Sequence, residues 1–146
     1  MNISEFQSFF EDTEQNRFYT YILLNPRKPG HYTYGDFISF AFEPFYVGKG
    51  SKDRCYKHTF EANKLIRKKV SKSWIWHNHY NHHKVNTIIK IIESGLKPII
   101  IKTIDNVPEQ DSILEEMILI DIIGRYDLKT GPLTNLTEGG DGIIGR

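Results

Sequence analysis

The spacing of apolar residues changes period several times along this chain, and each change predicts a new element. Phe6, Phe9 and Phe10 fall at helical spacing behind Ser4 and Gln7, which resemble a capping box, so residues 4–14 are predicted as a short amphipathic helix. Residues 18–24 are aromatic and β-branched without a breaker, which predicts a strand that stops at Asn25-Pro26. A second strand is expected to run through residues 38–42, to be interrupted at Glu43-Pro44, and to enter Tyr46-Val47-Gly48. Between the two strands, residues 26–35 carry prolines, glycines and basic side chains, the composition of a loop or a small extra hairpin. Ser51 then stands where it would cap a helix bearing Arg54, Tyr56 and His58. A second helix is expected from about 60 to 71, and a third over roughly 73–94, closed by Gly95. Residues 98–104 form a short apolar strand pattern, and Pro108 opens a helix through Ile123 that ends at Gly124. Residues 134–142 are glycine-rich and predict tight turns. This irregular alternation predicts an α/β (α+β) layer structure, with a central three-stranded antiparallel or mixed sheet flanked by helices.

A length of 146 residues suits one compact domain, here residues 18–146 behind an N-terminal helical extension of residues 1–17. Cys55 is the only cysteine, so an intramolecular disulfide and a thiolate zinc cluster are both excluded, and a reducing, cytoplasmic location is the expectation. No stretch approaches the roughly 20 apolar residues of a membrane helix. Glu5, Glu11 and Asp12 stand where a secretory signal would be basic and then apolar, which predicts a soluble, unprocessed protein with no membrane partner. Plentiful isoleucine, lysine and asparagine point to an AT-rich genome, such as that of a bacterium, its phage or a mobile element.

The net charge of +1 conceals a strong asymmetry. Residues 49–102 carry 13 basic and 3 acidic side chains, whereas residues 105–146 carry 3 and 9. The basic third is interleaved with Tyr56, Trp74, Trp76 and Tyr80, a composition suited to a phosphate backbone, where lysine and arginine displace condensed counterions. Its candidate DNA contacts are Lys52, Lys57, Arg67, Lys68, Lys69 and Lys72. A solvated helix face would carry the same charges, so the count alone does not separate the two readings.

Candidate chemistry narrows the choice. Glu116 lies mid-helix beside Met117, Ile118, Leu119 and Ile120, where an unpartnered carboxylate is costly to bury and a bound metal would resolve the cost. Its neighbour Glu115 points about 100° away on a helix, so only one of the two can face a site. Arg54 precedes His58 by one helical turn, so both can project toward the same phosphate, and a guanidinium can hold two phosphate oxygens at once. Lys49 follows Tyr46 by three residues, where its ammonium would favour a tyrosinate or stabilise a leaving oxygen. A tyrosine base needs such help because its ordinary pKa is about 10. Tyr21, Tyr46, His58 and a metal-bound hydroxide all stand as candidates to activate water. Tyr19 reads as a strand residue supporting a catalytic tyrosine, and Asn135 as a residue that orients the site or fixes a turn. The cluster His77, His79, His82 and His83 matches no common zinc spacing and reads as polar helix surface.

Taken in order, Tyr19-Thr20-Tyr21, Tyr46-Val47-Gly48-Lys49-Gly50, Arg54, His58, Glu116 with Leu119-Ile120, and Asn135-Leu136-Thr137-Glu138-Gly139-Gly140 resemble the motifs of the GIY-YIG nucleases. Phe45 before the second motif, Arg54-x-x-x-His58, Gly124-Arg125 and the terminal Asn-x-x-x-Gly-Gly are similar to the subgroup that includes animal nucleases fused to LEM domains and ankyrin repeats. The resemblance implies phosphodiester hydrolysis in DNA with one Mg²⁺ or Mn²⁺ held mainly by a single glutamate, and no small-molecule cofactor. It also implies a tyrosine that places or deprotonates the water and an arginine on the phosphate. That division matches what the reaction needs: charge stabilisation of a pentacovalent phosphate, an activated water and help for the leaving oxygen. The implied catalytic set is Tyr21, Tyr46, Lys49, Arg54, His58, Glu116 and Asn135. Glu116 is the implied metal ligand because the family's Glu-x-x-Leu-Ile phrase begins there. Two departures stand out: Tyr19 replaces the glycine of the first motif, and the segment between the motifs is longer than in minimal members. The rival reading is a nucleic-acid-binding module that keeps the fold without the chemistry. One active site cuts one strand, so a double-strand cut would need a homodimer or two visits.

Overall fold

The computed structural model describes residues 16–140, so the helix predicted over residues 4–14 and the tail from Asp141 lie outside the described residues. Its elements are β1 (Phe18–Tyr34), β2 (Ile38–Ser51), α1 (Lys57–Arg67), α2 (Lys72–Asn78), α3 (His82–Glu93), β3 (Ile99–Val107) and α4 (Glu109–Ile123). The three strands form one antiparallel sheet in the order β2-β1-β3, flanked by helices as the sequence predicts. Successive side chains of β1 point to opposite faces. Tyr19, Tyr21 and Leu23 pack with Cys55, Ala62, Ile88 and Ile91 on the side covered by α1 and α3. Ile22 and Leu24 pack with Leu119, Ile120 and Ile123 of α4 on the other side. Burial on both faces explains why residues 18–24 read as a continuous apolar run rather than an alternation. The polar Thr20 within that run is satisfied, because its hydroxyl donates to the Ser112 carbonyl at 2.7 Å.

Four boundaries differ from expectation. Of the loop or small extra hairpin expected over residues 26–35, the structure has a hairpin arm, built as an extension of the main strands: β1 continues to Tyr34, and Pro29, Tyr32 and Tyr34 pair with Phe42, Phe40 and Ile38. Register shifts on either side of Pro29 absorb the prolines that made the segment read as broken. Ser51 ends β2 and caps nothing. The chain turns through Lys52 and Asp53 into one 3₁₀ turn, Arg54–Tyr56, before α1 begins at Lys57. The helix expected to reach residue 71 stops at Arg67, and Lys69 takes a left-handed φ of 54°. The single helix expected over 73–94 is two. Ser71 Oγ accepts from the Trp74 amide at 3.0 Å, and Asn81 Oδ1 accepts from the Lys84 amide at 3.1 Å, so each starts its own helix. By contrast, α4 ends where predicted, at Gly124, whose φ of 93° and contact with the Thr130 carbonyl leave no room for a Cβ. No helix among the described residues is long and apolar enough to cross a membrane.

Candidate active site

Tyr21 on β1 faces Gly48 on β2 directly across the ladder. A Cβ at Gly48 would lie 2.5 Å from both Cζ and Oη of Tyr21, so the absent side chain is what lets the phenol lie against β2. The Tyr21 hydroxyl thereby reaches Nε2 of His58 on α1, at 2.7 Å. Tyr46 stands edge-on to the same imidazole, with ring centroids 5.0 Å apart, and Lys84 of α3 holds its ammonium 4.7 Å from the Tyr46 ring centre. Arg54 follows the β2 turn with its aliphatic stem folded over Gly50. From the opposite layer, Glu116 of α4 accepts a hydrogen bond from the Gly140 amide at 3.3 Å. Gly139, at φ 82°, passes so near that a Cβ there would sit 2.9 Å from the Glu116 carboxylate.

These side chains share one cleft of about 480 Å³. Six of the seven residues of the implied catalytic set line it: Tyr21, Tyr46, Lys49, Arg54, His58 and Glu116. Glu115 is not on its wall. Asn135 lies behind the cleft and clamps the outer edge of β2, its Oδ1 accepting from the Val47 amide at 3.0 Å and its Nδ2 donating to the Val47 carbonyl at 2.8 Å. Thr134 adds two bonds to the Phe45 carbonyl, one from its amide and one from its hydroxyl, each 2.7 Å. Asn135 is thus a positioning residue for Tyr46 and Gly48. Tyr19 acts similarly from beneath the turn: its hydroxyl donates to the Lys52 carbonyl at 2.7 Å and accepts from the Cys55 amide at 3.0 Å, bracketing Arg54.

Burial sets the proton chemistry of the cleft. Desolvation, with a smaller contribution from Tyr46, pushes the Tyr21 phenol far above its ordinary pKa. Desolvation, then the positive charges of Lys84 and Arg54, push His58 down to about 3. Burial also lowers Lys84, against the opposing pull of Glu61. At neutral pH, Tyr21 and His58 are therefore a neutral hydrogen-bonded pair. Tyr19 is pushed up to about 12, chiefly by burial and by its contact with Cys55, which keeps it a neutral structural phenol.

Of the candidate DNA contacts, Lys57 lines the cleft and Lys52 is exposed on the turn beside it. Arg67, Lys68 and Lys69 are also exposed but cluster at the far end of α1, about 15 Å along its axis at 1.5 Å per residue, and the exposed Lys72 opens α2. Two cleft residues have no counterpart in the sequence reading, Glu61 and Lys84. Lys84 heads the i, i+4, i+7 stripe that continues with the buried Ile88 and Ile91, and a cation on that stripe was the available signal. Glu61 carried only its i+3 spacing from His58.

Among the described residues there is no group of three or more His, Cys, Asp or Glu placed to hold a metal together. The histidine cluster is dispersed: His77 bonds the Ser73 carbonyl, while His79, His82 and His83 pack on Trp74, Trp76 and Tyr126. Glu116 opens onto a cleft lined by cations, and one carboxylate completed by water and phosphate oxygens is a donor set that suits Mg²⁺ or Mn²⁺.

The family model for the LEM-3-like GIY-YIG domain matches residues 18–141. Comparison with curated proteins and with solved structures finds no match.

Proposed function

The chain belongs to the LEM-3-like GIY-YIG family, whose character is nuclease-type, and from that premise we propose that it is a divalent-metal-dependent DNA endonuclease acting in the cleft between α1 and α4. The observation that supports this reading is the convergence of Tyr21, Tyr46, Lys49, Arg54, His58 and Glu116, from both layers of the fold, on that one cleft. Arg54 holds the scissile phosphate through paired donors. Tyr21, its hydroxyl fixed by the 2.7 Å hydrogen bond to Nε2 of His58, places the attacking water. Tyr46 borders the same water, with the Lys84 ammonium against its ring. Lys49 stabilises the leaving oxygen. Glu116 is the carboxylate that would hold Mg²⁺ or Mn²⁺, which supplies charge neutralisation at the phosphate when bound.

Supercoiled plasmid and a synthetic duplex incubated with Mg²⁺, Mn²⁺ or EDTA test the reading, with wild type and Glu116→Gln side by side. Metal-dependent cutting that disappears in the variant, with DNA binding retained, is expected. Equal cutting by both proteins removes Glu116 from the mechanism. Binding without cutting by wild type makes the chain a nucleic-acid-binding module.

A further inference from the structure

The catalytic cleft continues beyond Lys84. His58, Glu61 and Lys84 also line a recess of about 80 Å³ that extends to His79 and Asn81. Asn81 in turn lines a groove of about 780 Å³ between α2, the start of α3 and the 3₁₀ turn Tyr126–Leu128. Three large aromatic rings border this groove with their surfaces open: Trp76 is 62% exposed, Tyr80 83% and Tyr126 63%. Packing does not account for them, since the buried residues of α2 and α3 are Ile75, Ile88 and Ile91. Two of the rings are braced from the protein side, Trp76 by His82 at a centroid distance of 3.9 Å and Tyr126 by His83 at 4.9 Å. Bracing fixes each ring before a ligand arrives, which reduces the ordering cost of binding. The charges at the groove are cationic: Lys72 and Lys90 flank it, and the acid on its wall, Asp127, is held by Arg125 at 2.5 and 2.9 Å.

Open aromatic faces between lysines, two of them braced, match one ligand chemistry closely, a polyanion that presents flat rings at regular intervals. Single-stranded nucleic acid has that form, whereas a duplex keeps its base faces stacked and offers only phosphates. We propose that this groove binds an unpaired DNA strand running from the catalytic cleft, its bases stacked on Trp76, Tyr80 and Tyr126 and its phosphates on Lys72 and Lys90. Only the direction of that strand rests on the nuclease reading; the binding does not.

The test measures affinity for fluorescein-labelled oligothymidylate and for a blunt duplex of equal length, both in EDTA so that no cleavage enters. Trp76→Ala and Tyr126→Ala are expected to weaken the single strand by about tenfold or more, and to do so at least about fivefold more than they weaken the duplex. Trp76→Phe keeps a stacking face and is expected to restore most of the loss. Lys72→Gln and Lys90→Gln are expected to flatten the dependence of log K on log salt, which the aromatic variants leave alone. Equal weakening of both DNAs, or none, overturns the proposal. So does a concentration-dependent dimer that Trp76→Ala converts to monomer, which would give the groove to a second copy of this chain. Failure of wild type to cut plasmid with metal counts against the nuclease reading alone.

Discussion

A 2.7 Å bond between two uncharged groups, Tyr21 and His58, sits at the centre of the cleft, and its neutrality has measurable consequences. His58 is held down to about 3 by burial and by Lys84 and Arg54, while a histidine in the unfolded chain titrates near 6.5. Between those values the unfolded state binds a proton that the native state does not. Stability therefore falls as pH drops from about 6.5 toward 3, by at most about 1.4 kcal/mol per pH unit from this group. Urea titrations of wild type and His58→Gln across that window should differ by that slope. The His58 ring-proton shift should stay flat from pH 8 to 4.5 in NMR spectra, and a midpoint near 6.5 would remove the neutral pair. Gly48→Ala makes an independent prediction, because the new Cβ meets a buried phenol that has nowhere to move. A loss of about 1–3 kcal/mol is expected in chemical denaturation, together with loss of the Tyr21–His58 contact. Which residues gather at the cleft was largely legible from the order of short motifs. That Tyr21 and His58 stay neutral was not, since it depends on burial and, for His58, on the charges of Lys84 and Arg54.

Two asparagines join separate elements, and neither can be appreciated from its own segment. Asn135 satisfies both backbone groups of Val47 on the outer edge of β2. Asn135→Ala would leave a buried donor and a buried acceptor unpaired, so about 2–4 kcal/mol of destabilisation is expected, and Asn135→Asp, which sets a carboxylate oxygen against the Val47 carbonyl, is expected to cost no less. A loss below about 1 kcal/mol for Asn135→Ala in urea unfolding would refute the clamp. Asn81 caps α3 and also donates to the Thr134 carbonyl at 2.9 Å, tying that helix to the C-terminal segment. This second role explains why one helix over 73–94 was the wrong expectation: the apolar period is nearly continuous, and only the paired caps at Ser71 and Asn81 break it. The continuation of β1 beyond Asn25 was missed for the converse reason. Its strand pairing survives bulges around Pro29, but its alternation does not, and period is what a sequence displays. The apolar core of β1, the length and end of α4, and the three-stranded sheet were legible because each rests on a strong period with a clear terminator.

At the scale of the molecule, the charge asymmetry of the sequence becomes an asymmetry of layers. The basic third forms α1, α2 and α3 on one side of the sheet, and the acidic third includes α4 on the other, from which, among the described residues, Glu116 alone of its acids lines the cleft. DNA approaching the cleft would meet Lys57 and Arg54 first, while Arg67, Lys68 and Lys69 stand about 15 Å further on at the end of α1, a distance that spans a few phosphates. This division separates two kinds of cation by what they control. Lys68 and Lys69 have no neighbour in the cleft, so replacing both by glutamine should act through counterion release, lowering the steepness of log K against log salt by about 2 and weakening binding most at low salt. Arg54→Lys retains the charge but loses the paired donors, so its effect should fall on single-turnover cleavage at saturating DNA, with the salt slope kept. Fluorescence anisotropy between 50 and 200 mM salt and a single-turnover assay, run on both variants, give a two-by-two comparison. If the lysine pair altered the rate as much as Arg54→Lys does, the far end of α1 would be coupled to the cleft rather than serving as a remote anchor. If neither variant changed the salt slope, the duplex would lie across another face, and the basic layer would be the solvated surface its charge count equally allows.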